Sequence, residues 1–219
     1  MKTKVFTLFV LFTLSTVSII KSQVISDYGL KFGMISSQMN VKINPYSIYV
    51  GFPSYKFYDD NRLSGTFGVF LNMFKTKYFD LQNEIKYIQE GAEDKVSVTT
   101  AQSPEGIDEL SWDHEYNFIR YSLNLRPYYQ IKNNNNIYLI LGPSVNYLIK
   151  NRDDFYLHED LKDFYYGYNL GFGFTTSGII DKPLLLEFKY NGYFNHLADN
   201  SEIKADIKSW QINIGVALK

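Results

Sequence analysis

Cysteine is absent from this chain of 219 residues, and histidine occurs only three times. Without thiols the protein has no disulfide framework, no thiolate zinc site, no cysteine nucleophile and no lipid anchor on an N-terminal cysteine. A formal net charge of -1 gives no electrostatic reason to expect a nucleic-acid partner. These absences exclude several classes of enzyme and nucleic-acid-binding protein.

Long hydrophobic runs are also scarce, since the only one lies at the N-terminus. Lys2 and Lys4 precede an uncharged stretch over 5–20, and Lys21-Ser22-Gln23 follows it. This is the three-part layout of a secretory signal peptide, with cleavage expected before Gln23. A retained helix would need about 20 apolar residues to span a membrane, and hydroxyl residues interrupt this run. We therefore expect a signal peptide at 1–22 and one domain at 23–219.

Aromatic residues, in contrast, are abundant at 17% of the chain. They take part in an alternation of large apolar and small or polar residues, which is the period of a β-strand. No helical stripe persists for three turns after residue 22. The alternation predicts eight strands, at 28–34, 63–74, 78–89, 119–126, 137–150, 166–174, 184–191 and 210–218.

Charged residues within these strands share the face that carries most of the glycines, and none lies on the aromatic face. They are Lys31, Asp80, Glu84, Lys86, Arg120, Arg126, Glu187 and Lys189. A soluble barrel would carry its charge outside, whereas a membrane barrel has a polar lumen and an apolar exterior. The pattern has exceptions: Asn83 falls on the apolar face, and Phe70, Tyr78, Ile88, Tyr138, Ile140, Leu148 and Leu185 fall on the polar one.

Connection lengths alternate between long and short. The long ones are 41–62, 90–114, 151–163 and 194–208, and the short ones lie near 75–77, 130–136 and 176–182. Outer-membrane barrels have short periplasmic turns and longer extracellular loops. The sequence thus predicts an all-β protein, an eight-stranded antiparallel up-and-down transmembrane β-barrel in the bacterial cell outer membrane, with membrane lipid as its partner.

Three stretches of the last third carry a family resemblance. Leu141-Gly142-Pro143-Ser144-Val145-Asn146-Tyr147-Leu148, Leu186-Glu187-Phe188-Lys189-Tyr190-Asn191-Gly192-Tyr193 and Ile212-Asn213-Ile214-Gly215-Val216 resemble strands of the PorT-like outer-membrane β-barrel family of Bacteroidetes-type bacteria. The resemblance implies an eight-stranded barrel of the OmpX-like kind and a link to secretion and gliding machinery. It implies no catalytic residues. The C-terminal Ala217-Leu218-Lys219 departs from the terminal aromatic of many such barrels.

The lumen charges have two readings, an ion pathway or catalytic set on one side and a structural salt-bridge network on the other. The network is favoured because an eight-stranded interior is just wide enough for side chains to fill. His114, His158 and His196 all fall in or next to long loops, but their spacing matches no metal-ligand motif. Neither His114 nor His196 adjoins a serine in a nucleophile turn. We expect no catalytic residue, no cofactor and no metal.

Three functional hypotheses remain. The first is a non-enzymatic outer-membrane barrel that acts structurally or through its four long loops, in adhesion, interaction or assembly of secretion machinery. Loop 90–114 contains an acidic cluster at Glu105, Asp108, Glu109 and Asp113, which we interpret as a solvated loop tip that could contact a partner. The second is a secreted lipocalin-like barrel with its aromatic face inward around an apolar ligand. The third is an outer-membrane hydrolase dependent on His114 or His196.

Overall fold

The computed structural model describes residues 25–43, 60–100, 103–131, 135–152, 161–177, 182–199 and 203–218. The signal peptide expected at 1–22 lies outside these ranges. Within them, none of the chain forms a helix with the length and apolar character needed to cross a membrane.

Nine antiparallel β-strands make one sheet in these ranges. Their bounds are β1 Ile25–Ile43, β2 Asp60–Met73, β3 Phe79–Thr100, β4 Ser103–Gln130, β5 Asn136–Arg152, β6 Phe164–Thr176, β7 Leu184–Tyr193, β8 Ala198–Asp199 and β9 Ile203–Ala217. The strands pair in the order β1 to β7 and then β9, and β9 pairs with β1, which closes the sheet. β8 is a two-residue strand that pairs with β9. The structure confirms the predicted eight-stranded antiparallel barrel.

The strands are longer on one side than the sequence pattern predicted. Segment 90–114, predicted as a loop, continues β3 and β4 as a paired hairpin as far as Thr100 and Ser103. Predicted loop 194–208 contains β8 and the start of β9, while predicted loops 41–62 and 151–163 lose their ends to β1, β2 and β5. Residues 44–59, 153–160 and 200–202 lie outside the described ranges.

The barrel exterior carries a belt of exposed apolar side chains on every barrel strand. Phe32 of β1, Phe67 of β2, Leu139 of β5, Phe172 of β6 and Ile214 of β9 are 59%, 56%, 54%, 56% and 59% exposed. In water such a continuous surface is unfavourable, whereas a bilayer accommodates it. Along β9 and the residue that follows it, the belt runs over 210–218, which matches the roughly 9 to 11 residues that a tilted strand needs to cross a bilayer.

Aromatic pairs mark one margin of this belt. Tyr190 and Trp210 have ring centroids 4.8 Å apart, and Tyr147 and Phe164 lie 5.1 Å apart. Amphipathic rings favour the interface between hydrocarbon and water. We place the extracellular surface of the membrane here, because the short turns lie at the other end.

Above this margin the two faces of the sheet exchange character. Along β1 the outward side chains change from Phe32 and Met34 to Gln38, Asn40 and Lys42, while the inward ones change from Lys31 to Ile35 and Met39. The change occurs at matching heights on β3, β4 and β9, since Tyr87 pairs with Ile119 and Met34 with Ile212. We call the part below Met34, Tyr87, Ile119 and Trp210 the membrane section, and the part above it the extracellular section.

This exchange explains why 90–114 was predicted as a loop. A strand is predicted where one face stays apolar along its length, and that condition fails where the strand leaves the bilayer. Ile88 and Leu148, which are exceptions in the sequence pattern, belong to the apolar interior of the extracellular section. Tyr78 lies before β3 begins and is 67% exposed, so it is not an inward residue.

Candidate functional site: the barrel interior

The periplasmic end of the interior combines an apolar cluster with an ion pair. Phe70, Leu185 and Ala217 pack together, which accounts for two further exceptions in the sequence pattern. Beside them Arg126 donates two hydrogen bonds to Asp80, at 2.7 and 2.8 Å. A recess of about 410 Å³, lined by these two residues among others, opens at this end.

Tyr138 joins this level to the next one. Its ring lies 4.9 Å from the guanidinium carbon of Arg126, and its hydroxyl donates a 3.0 Å hydrogen bond to Glu187. Tyr138 thus uses both its π face and its polar tip inside the barrel. This explains why a large aromatic residue occurs on the charged face of β5.

The centre of the lumen is a network of three lysines and two glutamates. Lys31 donates to both carboxylate oxygens of Glu187 at 2.8 Å. Lys189 lies 2.7 Å from Glu84 and 3.0 Å from Glu187, and Lys86 lies 2.7 Å from Glu84. All five side chains are at most 2% exposed. Removal of one carboxylate would leave buried ammonium groups uncompensated, which is strongly unfavourable.

Amide side chains complete the hydrogen bonding of this centre. Gln82 accepts from Lys31 at 2.6 Å and donates to Asn72 at 2.8 Å. Asn124 donates to Glu84 and accepts from Asn169, at 3.2 and 3.1 Å. Glu84 of β3 and Lys189 of β7, on opposite sides of the barrel, lie 2.7 Å apart, so side chains meet across its axis, as expected for a lumen packed by side chains.

A second ion pair lies at the boundary between the membrane and extracellular sections. Arg120 donates to Glu90 at 3.0 and 3.2 Å and to the hydroxyl of Tyr193 at 2.8 Å. Tyr193 and Ser209 donate to the same glutamate. Glu90 is fully buried, and it lies an even number of positions from Glu84 and Lys86, which places it on the same face of β3. Sequence reasoning missed it because 90–114 was predicted as a loop, although its parity was a usable signal.

The rest of the interior of the extracellular section is an apolar core. Ile88, Tyr116, Phe118, Tyr165 and Leu197 are at most 3% exposed, and five more residues complete the cluster: Met39, Ala92, Ala198, Ala205 and Ile207. Phe118 and Tyr165 pack edge to face with centroids 5.7 Å apart. The Tyr165 hydroxyl accepts from the amide of Lys162 and donates to the carbonyl of Leu197. The core thus fills the extracellular section as it would a soluble protein.

The structure places all eight charged residues named from the sequence inside the barrel, each at most 5% exposed: Lys31, Asp80, Glu84, Lys86, Arg120, Arg126, Glu187 and Lys189. It groups them into the Arg126–Asp80 pair, the central network and the Arg120–Glu90 pair. Asn83 lies on the outer face, where it accepts a 2.6 Å hydrogen bond from Tyr121.

The histidines are not brought together as the loop prediction allowed. His114 is a buried residue of β4, 1% exposed, and not a loop residue, because β4 extends to Ser103. His196 lies after β7 and contacts Asp206 on the partly exposed outer side of β9. His158 lies outside the described residues. Among the described residues, no three His, Cys, Asp or Glu side chains form a group that could hold a metal ion.

Polar side chains cover the outside of the extracellular section. Arg62 donates to Asp113 at 2.6 Å and to Glu115 at 2.8 Å. Burial by itself lowers the pKa of Arg62, but the hydrogen bond and charge of Asp113 outweigh it and raise that pKa above its ordinary value. Gln89 and Asn117 extend the same surface by donating to Glu115 at 3.2 and 2.6 Å. We call this polar outer surface of the extracellular section the outer wall. It differs from the belt below it, where the outward side chains are apolar.

No protein-family model and no curated protein matches the sequence. Solved structures with a similar fold include OprG, an outer membrane protein from Pseudomonas aeruginosa. It is 10% identical with TM-score 0.48, and the match covers 90% of this chain and 97% of that one. They also include Neisserial surface protein A, at 11% identity, TM-score 0.47 and coverage of 89% and 98%.

A third similar structure is Ail, the attachment invasion locus protein of Yersinia pestis, in complex with the heparin analogue sucrose octasulfate. It is 12% identical with TM-score 0.37, covering 88% of this chain and 98% of that one. Because these identities and scores are low, no functional conclusion rests on them.

Proposed function

We propose that this chain is a non-enzymatic β-barrel of the bacterial outer membrane that conducts no solute and acts through its extracellular section. The observation that carries the proposal is the layered interior, in which ion-paired and apolar side chains fill successive levels. The charged side chains of the lumen form ion pairs with one another. Glu84, for example, lies within 3.6 Å of Lys31, Lys86 and Lys189. The outward aromatic belt opposes the alternative of a secreted barrel around an apolar ligand, because that barrel requires the aromatic face inside.

Conductance tests the packed lumen. The mature chain is folded into planar bilayers, and the same preparation is checked for a heat-dependent shift in electrophoretic mobility, which shows that the barrel has formed. We expect heat-modifiable protein without discrete conductance steps. Ion-selective steps from heat-modifiable protein would contradict the proposal.

The hydrolase alternative receives little support from the geometry, because His114 is buried in the extracellular core and His196 lies on the outer wall. Substituting each by alanine would abolish turnover of a lipid or peptide substrate if either histidine were catalytic. We expect the folded protein to turn over neither substrate class. Turnover that is lost in His196→Ala, with the heat-dependent shift retained, would establish the alternative.

The β3–β4 hairpin is the proposed element of contact with a partner. Beyond Glu93 and Asp113 its two strands pair with each other through Thr100 and Ser103. Within the described residues, the last pairing of β3 with β2 is at Glu93, and the last pairing of β4 with β5 is at Glu115. Strand edges that have no paired neighbour offer backbone groups to an extended segment of another protein. Over 94–112 the charged residues are four acidic and one basic.

Crosslinking in the source bacterium tests this element. A photoreactive amino acid is placed at Val96 of the hairpin, and at Phe172 of the lipid-facing belt as the matched control. We expect protein adducts from position 96 and none from position 172. Adducts from neither position, with both variants displayed at the wild-type level, would argue against the hairpin as a contact element.

We further propose that the chain is a member of the PorT-like family with a role in adhesion or in the assembly of secretion machinery. The membership is supported by the three stretches in the last third of the chain, which form β5, β7 and β9. Deletion of the protein from its host should reduce export of secreted proteins if the role is in secretion. Unchanged export with reduced surface attachment would assign adhesion instead.

Mass spectrometry of the membrane form should give Gln23 as its first residue.

A further inference from the structure

The described lumen contains one more cation than anions. Its cationic side chains are Lys31, Lys86, Lys189, Arg120 and Arg126, and its anionic ones are Asp80, Glu84, Glu90 and Glu187, all at most 5% exposed. Asp80 and Glu90 are bound by the two arginines. The three lysines are therefore left with two glutamates. A buried charge without compensation is costly, so the excess needs a partner.

The excess is concentrated at Lys86. Lys31 and Lys189 each lie within 4 Å of both Glu84 and Glu187. Lys86 forms an ion pair with one carboxylate, Glu84, at 2.7 Å, and donates a 3.1 Å hydrogen bond to the neutral amide oxygen of Gln211. An ammonium group has three donors, so Lys86 has a donor beyond these two contacts.

Further unused donors surround the same level of the lumen. Gln211 Nε2 and Arg120 Nη1 are buried and have no hydrogen-bond partner among the described residues. Arg120 stands directly opposite Lys86 in the register of β3 and β4, which puts two like charges on neighbouring strands. Gln211 is tied to Lys86 through its own amide oxygen. Gln211 Nε2 is thus an unused donor on the amide that Lys86 contacts, whereas the guanidinium of Arg120 is directed to Glu90 and Tyr193.

We propose that this level binds a small monovalent anion of the halide class, held by Lys86 Nζ and Gln211 Nε2. One negative charge balances the excess, and only donors without another partner are used. The amide of Asn213 is also buried without partners. It lies opposite Glu187 in the pairing of β7 with β9, however, which disfavours an anion at that position. The packed lumen favours a monatomic anion over a phosphate or carboxylate.

Bromide locates the site directly. Crystals of the full mature chain are grown in sodium bromide, and anomalous scattering at the bromine edge is measured. We expect one anomalous peak inside the barrel, at hydrogen-bond distance from Lys86 Nζ. Peaks on the protein surface only, an adventitious ion, would overturn the proposal.

Chloride dependence of stability gives an independent readout. Urea unfolding of the barrel in vesicles is followed with sodium chloride replaced by sodium gluconate at constant ionic strength. The wild-type midpoint should rise with chloride and then saturate, since a ligand that binds only the folded state stabilises it. Gln211→Glu supplies the negative charge internally, so this variant should fold without chloride and have a constant midpoint. Lys208→Gln on the exposed outer wall is the matched control and should keep the wild-type dependence.

A wild-type midpoint that is independent of chloride would overturn the proposal. If Lys86→Gln then unfolds at the same urea concentration as wild type, the lysine is neutral in the lumen and no anion is needed. A chloride dependence that persists in Gln211→Glu would also contradict the assignment, because it would place the ion elsewhere.

Discussion

The membrane and extracellular sections use the same eight strands with opposite faces buried. Below the margin at Met34 and Trp210, charged residues such as Glu84 and Lys189 are inside and residues such as Phe172 are outside. Above it, Ile88 and Phe118 are inside, whereas exposed polar residues cover the outer wall. The strand does not itself determine which face is apolar. The solvent on its outer side, hydrocarbon or water, determines which side chains are tolerated there.

The two sections are therefore stabilised by different interactions. In the membrane section the lumen depends on pairing of opposite charges, because the lipid outside offers hydrocarbon contacts to apolar side chains whether or not the chain folds tightly. In the extracellular section the apolar core is removed from water, so the hydrophobic effect contributes directly. Substitutions in one section, compared with matched substitutions in the other, measure these contributions separately.

The largest effect is expected from Glu84→Gln at the centre of the lumen. It removes a buried charge that three lysines share, and breaking such a pair costs about 3 to 5 kcal/mol. The free energy of unfolding from urea titration in lipid vesicles measures the loss. Glu115→Gln, in the polar wall of the extracellular section, should cost about 1 kcal/mol or less. Equal losses in the two variants would contradict the contrast.

Phe118→Ala tests the apolar core of the extracellular section. Truncation of a fully buried phenylalanine removes about 3 to 5 kcal/mol from the free energy of unfolding. Phe172→Ala on the lipid-facing belt is the control, and it should cost less than about 2 kcal/mol because lipid chains fill the space. The same titration compares them. A larger loss for Phe172→Ala would show that the extracellular section has no core of its own.

Phe32→Lys places a charge on the outer face of β1 within the belt. We expect a loss of about 2 to 4 kcal/mol if the position lies near the bilayer midplane. Asn40→Lys is the matched variant on the same face of the same strand, above the margin, and should change stability by about 0.5 kcal/mol or less. Both are measured as vesicle unfolding. Tolerance of lysine at 32 would mean that this face does not contact hydrocarbon.

The smallest effect is expected at the ion pair of the outer wall. Lys204 lies 3.8 Å from Asp199, and both side chains are 47% exposed. Lys204→Gln should therefore cost less than about 1 kcal/mol, with the difference disappearing at high salt. Unfolding at low and high sodium chloride checks this. A large loss that is independent of salt would show that the outer wall depends on its charges as the lumen does.

The membrane section could be predicted from the sequence because its pattern is uniform along each strand. The parity of Lys31, Glu84, Arg120 and Glu187 with neighbouring glycines and amides was sufficient to assign them to the barrel interior. Their grouping could not be predicted, since Lys31 and Glu187 are 156 positions apart and meet only when the sheet closes. Parity alone does not specify which charges meet across a barrel axis.

The extracellular section was missed for a different physical reason. Its strands continue after the apolar face has switched sides, so Ile88 in β3 and Leu148 in β5 were read as exceptions to a regular pattern. Phe70 and Leu185 were exceptions too, but they close the periplasmic end of the lumen. An alternation allowed to change phase once per strand would have predicted β3 and β4 beyond residues 89 and 119.

The switch of faces along β1 is tested most directly by single-cysteine labelling, for which the cysteine-free chain is a ready background. Cysteines at positions 30, 32, 34, 36, 38 and 40, all on the outer side of β1, are spin-labelled in vesicles. The accessibility of each label to oxygen and to a water-soluble nickel complex is then compared. We predict labels at 30, 32 and 34 accessible to oxygen, and labels at 36, 38 and 40 accessible to nickel. Nickel accessibility at all six positions, or oxygen accessibility at all six, would contradict the division into two sections.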